Sequence, residues 1–190
     1  MPDLRRVCVF CGSSSGTAPV FTEAAAELGR ALAARSIELV YGGGATGLMG
    51  TVADAVLGHG GHVVGIIPGG LSTEVGHPGI SQLVEVDGMH ARKALMYEKA
   101  DAFVALPGGF GTLDELAEVL TWSQLGLHAK PVGLLDVDDY YRHLLAFFDQ
   151  SVEAGLLKHQ NRALLVADTA VDRLLDTLAT TEVVYEPKWQ

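Results

Sequence analysis

The sequence predicts a single-domain α/β protein: a doubly wound, Rossmann-like and mostly parallel sheet with helices on both faces. Short β-branched apolar runs alternate with helical patterns along all 190 residues, which favours right-handed strand–helix–strand crossovers. Most of these runs are continuously apolar rather than alternating, as buried parallel strands require. No linker, low-complexity segment or internal repeat interrupts them, so residues 1–185 are predicted to form one domain and residues 186–190 a C-terminal tail.

Seven segments have the length and composition of strands: residues 6–11, 38–41, 62–67, 83–86, 102–106, 131–135 and 163–166. Two helix faces follow from apolar spacing, one formed by Phe21, Ala24, Ala25, Leu28 and Leu32, the other by Val171, Leu174, Leu175 and Leu178. Predicted N-caps precede the last two long helices, at Asp138 or Asp139 and at Asp168 or Thr169.

The overall charge argues against a nucleic-acid partner. The chain has 13 Lys and Arg against 23 Asp and Glu, a formal net charge of −10. So few cationic side chains disfavour the basic face that nucleic-acid binding proteins usually have. No secretory signal and no apolar run of membrane-spanning length is visible, so no membrane partner and a cytoplasmic location are expected.

The only cysteines, Cys8 and Cys11, have the C-x-x-C spacing of a redox or metal pair. Both fall within the first predicted strand, where residues three apart face opposite sides of the sheet. They are therefore expected to pack as small apolar residues. The seven histidines show no metal-ligand spacing, and no metal site is predicted.

Three glycine-rich loops follow predicted strands, at residues 12–16, 42–50 and 107–111. In doubly wound sheets ligands bind outside the carboxyl ends of the strands, which is where these loops lie. Glycines let a backbone approach a ligand closely, and the N–H groups of a following helix attract anions. Although glycines also make plain tight turns, three such loops at one sheet edge predict an anion site.

The anion is predicted to be a nucleoside monophosphate. Gly42, Gly44 and Gly47 satisfy G-x-G-x-x-G, but the loop follows the second strand and the next strand ends without an acidic residue for a ribose. This context disfavours a nicotinamide oxidoreductase. No G-x-x-x-x-G-K-[ST] motif occurs, which disfavours a nucleoside triphosphate.

Glu115 is open to two interpretations. Thr112 and Glu115 have the spacing of a capping box, in which the carboxylate bonds back to the first N–H groups of a helix. Alternatively, a carboxylate one turn beyond a phosphate-binding loop lies where the sugar of a bound nucleotide would be. Its neighbour Asp114 is expected to be a solvated charge at a helix start.

A second group of candidates opens the helix predicted after residue 88. Arg92 and Lys93 near a helix start oppose its dipole, which leaves two interpretations open: a bound anion, or a solvated pair of charges with a nearby carboxylate. Met89 and Met96 are expected in the core or in a pocket wall. Glu74, in a predicted loop over residues 70–79, is a carboxylate placed to reach the same edge.

The sequence resembles the LOG ("Lonely guy") family of cytokinin riboside 5′-monophosphate phosphoribohydrolases, also known by the older name lysine decarboxylases. Residues 107–115 are similar to the family signature P-G-G-x-G-T-x-x-E, and the resemblance extends to residues 41–50, 89–93 and 122–131, covering nearly the whole chain. No lysine has a recognisable pyridoxal-phosphate context, so decarboxylation is not expected.

The resemblance implies a homodimer that hydrolyses the N-glycosidic bond of N6-substituted AMP, and of AMP itself, without metal or redox cofactor. It makes Arg92 and Glu115 the catalytic pair. Glu115 would act on the sugar side, whereas Arg92, too weak an acid to donate a proton, would hold substrate or charge in place. Together with the glycine loops, the candidate substrate-binding residues are Glu74, Lys93, Gly109, Phe110, Gly111, Thr112, Leu113, Asp114, Gly43, Gly44, Ser13 and Met89.

Two further classes stay open beside the hydrolase. A carrier or sensor of the same fold would bind a nucleotide or cofactor without turnover, and the presence of both Glu115 and Arg92 disfavours it. A single-stranded DNA binder on a similar sheet is disfavoured by the acidic charge.

Overall fold

The apolar runs of the sequence become the strands of one sheet in the computed structural model, which describes residues 4–184. The strands are β1 Arg6–Phe10, β2 Glu38–Tyr41, β3 Val63–Pro68, β4 Gln82–Val86, β5 Ala102–Ala105, β6 Val132–Leu135 and β7 Leu165–Asp168. Every predicted strand is present, with boundaries that shift by at most two residues. The predicted tail, residues 186–190, lies outside the described residues.

Helices fill the connections between the strands. They are α1 Pro19–Ala34, α2 Gly47–Gly58, α3 Gly69–Val75, α4 Met89–Lys99, α5 Phe110–Gln124, α6 Arg142–Glu153, α7 His159–Arg162 and α8 Val171–Thr180, with a 3₁₀ turn at Val137–Asp139. The region predicted as a loop over residues 70–79 therefore begins as helix α3, and Glu74 lies on that helix. None of these helices is long and apolar enough to cross a membrane, within residues 4–184.

The strand order is β4-β3-β2-β1-β5-β6-β7, and each neighbouring pair is parallel. The chain winds outward from β1 to β4, crosses back to β5, and then winds outward in the other direction. The direction therefore reverses between β1 and β5, and the crevice at the carboxyl ends of these two strands is the expected ligand position of such a fold.

Two apolar cores, one on each side of the sheet, confirm the predicted doubly wound architecture. One face is covered by α1, α2 and α8, whose buried residues include Leu28, Val52 and Leu174. The other is covered by α4, α5 and α6, where Met96 and Leu116 are buried. Burial of both faces explains why the central strands are continuously apolar.

The cysteines lie on opposite sides of the sheet, as predicted, although Cys11 falls just outside β1 rather than within it. Cys8 belongs to the core beneath α4 and α5, whereas Cys11, just beyond β1, packs against the core on the other face. Burial raises the pKa of the Cys8 thiol well above its ordinary value. The two thiols therefore act as apolar packing groups on opposite sides of the sheet.

The predicted N-caps are wrong in detail. The cap residue of α6 is Tyr141 and that of α8 is Ala170, and neither makes a side-chain capping bond. Asp136 accepts a hydrogen bond from the Tyr141 N–H (2.8 Å), and Asp168 accepts one from the Ala170 N–H (2.7 Å). The carboxylates still satisfy backbone N–H groups near the helix starts, but from positions further back in the chain.

Candidate active site

Two loops meet at the reversal point of the sheet. The serine loop (residues 12–16) follows β1, and the β5–α5 loop (residues 107–109) follows β5. They are joined by a hydrogen bond from the Gly12 N–H to the Pro107 carbonyl (3.0 Å). Ser13, Ser14 and Ser15 are exposed, and in the described chain their hydroxyls have no hydrogen-bond acceptor. This crevice offers polar groups to a ligand.

Helix α5 begins at the same crevice with uncapped N–H groups. Its first residues are Phe110, Gly111 and Thr112, and no acceptor for their N–H groups is found in the described part of the chain. Gly108 packs so tightly against the Thr112 side chain that a Cβ there would collide with it. A long helix with free N–H groups at its start is the anion-binding arrangement that the sequence predicted for this loop.

The capping-box interpretation of Glu115 is wrong. The helix starts at Phe110, with Gly109 as its cap residue, so Thr112 is already inside the first turn. Because the backbone at residues 108, 109 and 111 has no side chains to obstruct it, the helix extends further back than the pattern indicated. Glu115 consequently lies in the second turn, too far along to bond to the first N–H groups.

Glu115 contacts Arg92 instead. Arg92 Nη1 lies 3.3 Å from Glu115 Oε1, and the two side chains are only 13% and 9% exposed. The contact is not aligned as a hydrogen bond, and Oε1 has no hydrogen-bond partner within residues 4–184. Arg92 is held by a second contact, since its Nε donates to the Ile66 carbonyl at the end of β3 (3.1 Å).

Burial dominates the electrostatics of this pair. Loss of solvent around the Glu115 carboxyl raises its pKa from 4.5 to about 7, although the charge of Arg92 acts in the opposite direction. A carboxylate that lacks both water and a hydrogen-bond donor is poorly stabilised, and it gains the most from a positive charge that develops beside it.

The triple-glycine loop (residues 42–46) shapes the site from behind. A Cβ at Gly42 would collide with the Arg92 guanidinium, so the absence of a side chain there gives Arg92 its position. Gly43 and Gly44 are buried, and the Gly43 carbonyl accepts a hydrogen bond from the His77 N–H (2.9 Å). The Leu48 N–H at the start of α2 donates to the Gly12 carbonyl (3.1 Å) and is not available to an anion.

One cleft brings together most of these groups. This cleft, called the α5 cleft below, has a volume of about 270 Å³ and is lined by Cys11, Gly12, Ser13, Met49, Arg92, Gly109, Phe110, Gly111, Thr112 and Glu115. It contains both candidate catalytic residues and five of the predicted substrate-binding residues. The uncapped start of α5 and the Arg92–Glu115 pair thus open into the same space.

The other predicted substrate-binding residues lie outside this lining. Met89 is half-exposed at the first position of α4, and Glu74 is exposed on α3. Leu113 packs beneath the helix against the core. Their contact with substrate stays a prediction.

Lys93 and Asp114 face each other outside the cleft. Lys93 Nζ lies 3.0 Å from both Asp114 Oδ2 and Glu118 Oε2. The Lys93 side chain is 11% exposed and these carboxylates raise its pKa, so Lys93 has the nearby carboxylate of the alternative interpretation but is largely buried and not solvated. Asp114 is 64% exposed, as expected of a charge near a helix start.

Some lining residues were missed by sequence reasoning. Met49 and Gly12 belong to the glycine-rich loops at residues 42–50 and 12–16. Their position in those loops is the sequence feature that could have identified them. Cys11 was assigned to packing only. Tyr140 lines a second cleft described below, and no local pattern connects it with residues 107–109. In the described residues, no group of His, Cys, Asp and Glu side chains is arranged to hold a metal ion.

Comparison with known proteins identifies relatives over most of the chain. Residues 49–178 match the family model described as "Possible lysine decarboxylase". The probable cytokinin riboside 5′-monophosphate phosphoribohydrolase LOGL9 of Oryza sativa subsp. japonica is 57% identical over 164 residues, covering 86% of this chain and 72% of the relative. The phosphoribohydrolase LOG7 of Arabidopsis thaliana is 50% identical over 186 residues, covering 97% and 84%.

Solved structures share the fold at lower identity. The molybdenum cofactor binding protein of Rippkaea orientalis superimposes with a TM-score of 0.71 at 20% identity, covering 95% of this chain and 98% of that protein. At this identity the likeness concerns the arrangement of strands and helices, and it carries no information about the ligand.

Proposed function

This chain belongs to the LOG family of cytokinin riboside 5′-monophosphate phosphoribohydrolases, and from that premise we propose that it hydrolyses N6-substituted adenosine 5′-monophosphates. Water cleaves the N-glycosidic bond and yields the free base and ribose 5-phosphate. The relatives' names supply the substrate class. The observation that carries the proposal in this chain is the cleft that joins the free N–H groups of α5 to the buried Arg92–Glu115 pair.

The two ends of the substrate have distinct partners. The 5′-phosphate binds the N–H groups at residues 109–112, where the helix dipole favours negative charge. From there the ribose extends along the first turns of α5 toward Glu115. As the bond to the base breaks, positive charge develops on the sugar, and the poorly solvated carboxylate stabilises it or activates the attacking water.

Arg92 has a supporting electrostatic role. A guanidinium is too weak an acid to donate the proton that the leaving base needs, so another group must supply it. The position of Arg92 beside Glu115 keeps part of the carboxylate population ionised and fixes the orientation of that side chain. The reaction as written requires water and no metal or redox cofactor.

The rest of the proposed substrate-binding set lies outside the cleft lining and consists of Lys93, Asp114, Glu74, Met89, Leu113, Gly43 and Gly44. Lys93 tests this part of the proposal because it is charged and already paired with two carboxylates. If it also contacts substrate, Lys93→Met raises KM for the nucleotide. An unchanged KM with lower thermal stability would assign Lys93 to the α4–α5 contact alone.

A product assay decides the main proposal. The purified chain is incubated with isopentenyl-AMP, with AMP and with isopentenyladenosine, and released base is measured by chromatography. Release from the phosphorylated substrate, with little from the nucleoside, supports the proposal and the phosphate site. Tight binding of isopentenyl-AMP without release of base contradicts hydrolysis and favours the carrier alternative.

We also propose that the protein is a homodimer, as the family resemblance implies. An apolar groove between α5 and α6 offers a surface for a second copy, since Phe147 and Leu156 there are 59% and 87% exposed. Light scattering during size-exclusion chromatography measures the mass. A monomeric wild-type chain contradicts the dimer, and a dimer that persists in Leu156→Glu places the interface elsewhere.

A further inference from the structure

The turn between β6 and α6 reaches across to the β5–α5 loop. Tyr140 Oη donates a hydrogen bond to the Gly108 carbonyl (2.7 Å), and Tyr141 Oη donates one to the Leu106 carbonyl (2.7 Å). The carbonyl between them, that of Pro107, accepts the bond from Gly12 N–H. Three successive carbonyls that lead into α5 are thus each held by a different donor.

The backbone of this turn is strained. Asp138 and Asp139 have φ values of +54° and +56°, in the left-handed region that residues other than glycine rarely adopt. The turn is closed by the buried Asp136 carboxylate, which accepts the Tyr141 N–H. Strain of this kind persists only where the surrounding contacts fix it, and it is concentrated at functional sites. Here it places two consecutive tyrosine rings at 88° to each other.

The two hydroxyls act on different parts of the loop. Leu106 belongs to the end of the sheet, because its N–H donates to the Phe10 carbonyl (2.9 Å), so its position is fixed without Tyr141. The Gly108 carbonyl has no donor other than Tyr140 in the described chain. The Tyr140 hydroxyl is therefore the hydrogen-bond donor that holds this carbonyl, whereas the Leu106 carbonyl is already placed by the sheet.

The 108–109 peptide joins two glycines. Gly108 must lack a side chain because a Cβ would collide with Thr112, and a peptide flanked by two glycines meets little steric resistance to rotation. In a planar trans peptide the carbonyl and the N–H point in opposite directions. The Gly108 carbonyl points to Tyr140, in a second cleft of about 320 Å³ that Phe21 and the serine loop also line. The Gly109 N–H consequently points away from that second cleft.

We propose that Tyr140 is a positioning residue, whose hydroxyl fixes the 108–109 peptide so that the Gly109 N–H faces the anion at the start of α5. Gly109 lines both clefts, so the Gly109 N–H can reach the α5 cleft when the Gly108 carbonyl is turned to Tyr140. The inference rests on the proposed function in that the anion is the substrate's 5′-phosphate.

Tyr140→Phe removes the hydroxyl and keeps the ring that packs against Phe21 and Tyr141. Tyr141→Phe is the matched control, because it removes a hydrogen bond of equal length from a carbonyl already fixed by the sheet. The dissociation constant of ribose 5-phosphate is measured by calorimetry, and KM and kcat with isopentenyl-AMP. Tyr140→Phe is expected to raise both the dissociation constant and KM by about five- to tenfold, with kcat changed by less than about twofold.

Tyr141→Phe is expected to lower the melting temperature and leave both binding constants within about twofold of wild type. The proposal is overturned if Tyr140→Phe binds ribose 5-phosphate like wild type, if both variants weaken binding equally, or if the wild-type chain does not bind ribose 5-phosphate. The calorimetric comparison needs no turnover. A wild-type chain that binds ribose 5-phosphate but releases no base would defeat the proposed hydrolysis and still decide the role of Tyr140.

Discussion

The guanidinium of Arg92 lies 3.3 Å from the carboxylate of Glu115, and yet the pKa of that carboxyl is raised to about 7. An exposed ion pair lowers the pKa of its acid. Here the carboxyl is buried and its Oε1 has no hydrogen bond in the described chain, so loss of solvent outweighs the neighbouring charge. The ionised form of Glu115 is therefore poorly stabilised in the folded chain, in spite of its proximity to Arg92.

The pH dependence of catalysis follows from this carboxyl. If the ionised form stabilises the sugar cation or activates water, kcat/KM falls about tenfold per pH unit below about pH 7, where Glu115 becomes protonated in the free protein. The measurement is kcat/KM with isopentenyl-AMP between pH 5 and 9. A rate that rises as the pH falls through this range would mean that Glu115 works in its protonated form.

Glu115→Gln is expected to abolish release of base and largely spare nucleotide binding, because the amide keeps the shape of the side chain but not its charge. Glu153→Gln is the matched control, because it makes the same change at an exposed residue at the end of α6, outside the α5 cleft. Single-turnover assays and calorimetry with isopentenyl-AMP measure the two properties. A fully active Glu115→Gln variant removes this residue from the mechanism.

Glu115→Gln should also change the pH dependence of stability. The folded chain keeps a proton on Glu115 up to about pH 7, whereas the unfolded chain releases it near pH 4.5, so stability falls as the pH rises through this window. The full cost at pH 8 is roughly 3 kcal/mol. Urea unfolding should find the variant more stable than wild type by about 1–3 kcal/mol at pH 8, and nearly equal at pH 4.5. Equal stabilities at both pH values contradict the raised pKa.

Gly42→Ala tests the space that Arg92 occupies. The added Cβ would collide with the guanidinium, so Arg92 moves away from Glu115 and kcat/KM is expected to drop by about 100-fold. Gly58→Ala is the control, because a Cβ there meets nothing within 4 Å and Gly58 lies at the far end of α2, outside the cleft lining. Similar activities of the two variants would show that Arg92 does not depend on residue 42.

Gly47→Ala tests the packing between the serine loop and α2. Gly47 has φ of +61°, and a Cβ there would collide with the backbone of Ser13. The variant is expected to lose about 2–4 kcal/mol of unfolding free energy in urea titrations. Gly58→Ala, at the other end of the same helix, meets nothing within 4 Å and should be neutral or stabilising by up to about 1 kcal/mol. If Gly47→Ala is as stable as wild type, the serine loop and the start of α2 do not pack as described.

The architecture was predictable because it depends on short-range patterns. The length and apolar character of the runs at residues 38–41 and 102–106 predict buried parallel strands, and the spacing from Val171 to Leu178 predicts one buried helix face. The point of reversal between β1 and β5 was not predicted, because the rules of chain winding allow more than one strand order. Exact helix starts were less predictable, since glycines at residues 108–111 permit more than one start for α5.

Local sequence also marked the chemistry, but not its arrangement. The glycine loops, Arg92 and Glu115 were singled out by residue type and by resemblance, and the structure places the start of α5 and this pair in one cleft. The loop over residues 42–46 makes room for Arg92, which its glycines did not indicate, and contact of Gly43 and Gly44 with substrate stays a prediction. The first N–H groups of α2 bond to Gly12, which no local pattern could indicate.

The sequence by itself determined which elements form, which strand ends carry flexible glycine loops, and which charged residues are available there, because these properties depend on near neighbours along the chain. Only the tertiary structure decided that Glu115 is buried against Arg92 and that Tyr140 reaches Gly108. Those contacts join residues 23 and 32 positions apart in the chain, and they arise from how helices pack on the sheet. Solvent exclusion around Glu115 sets the pKa of its carboxyl, and the Tyr140 hydrogen bond holds the Gly108 carbonyl. Spacing along the sequence encodes neither effect.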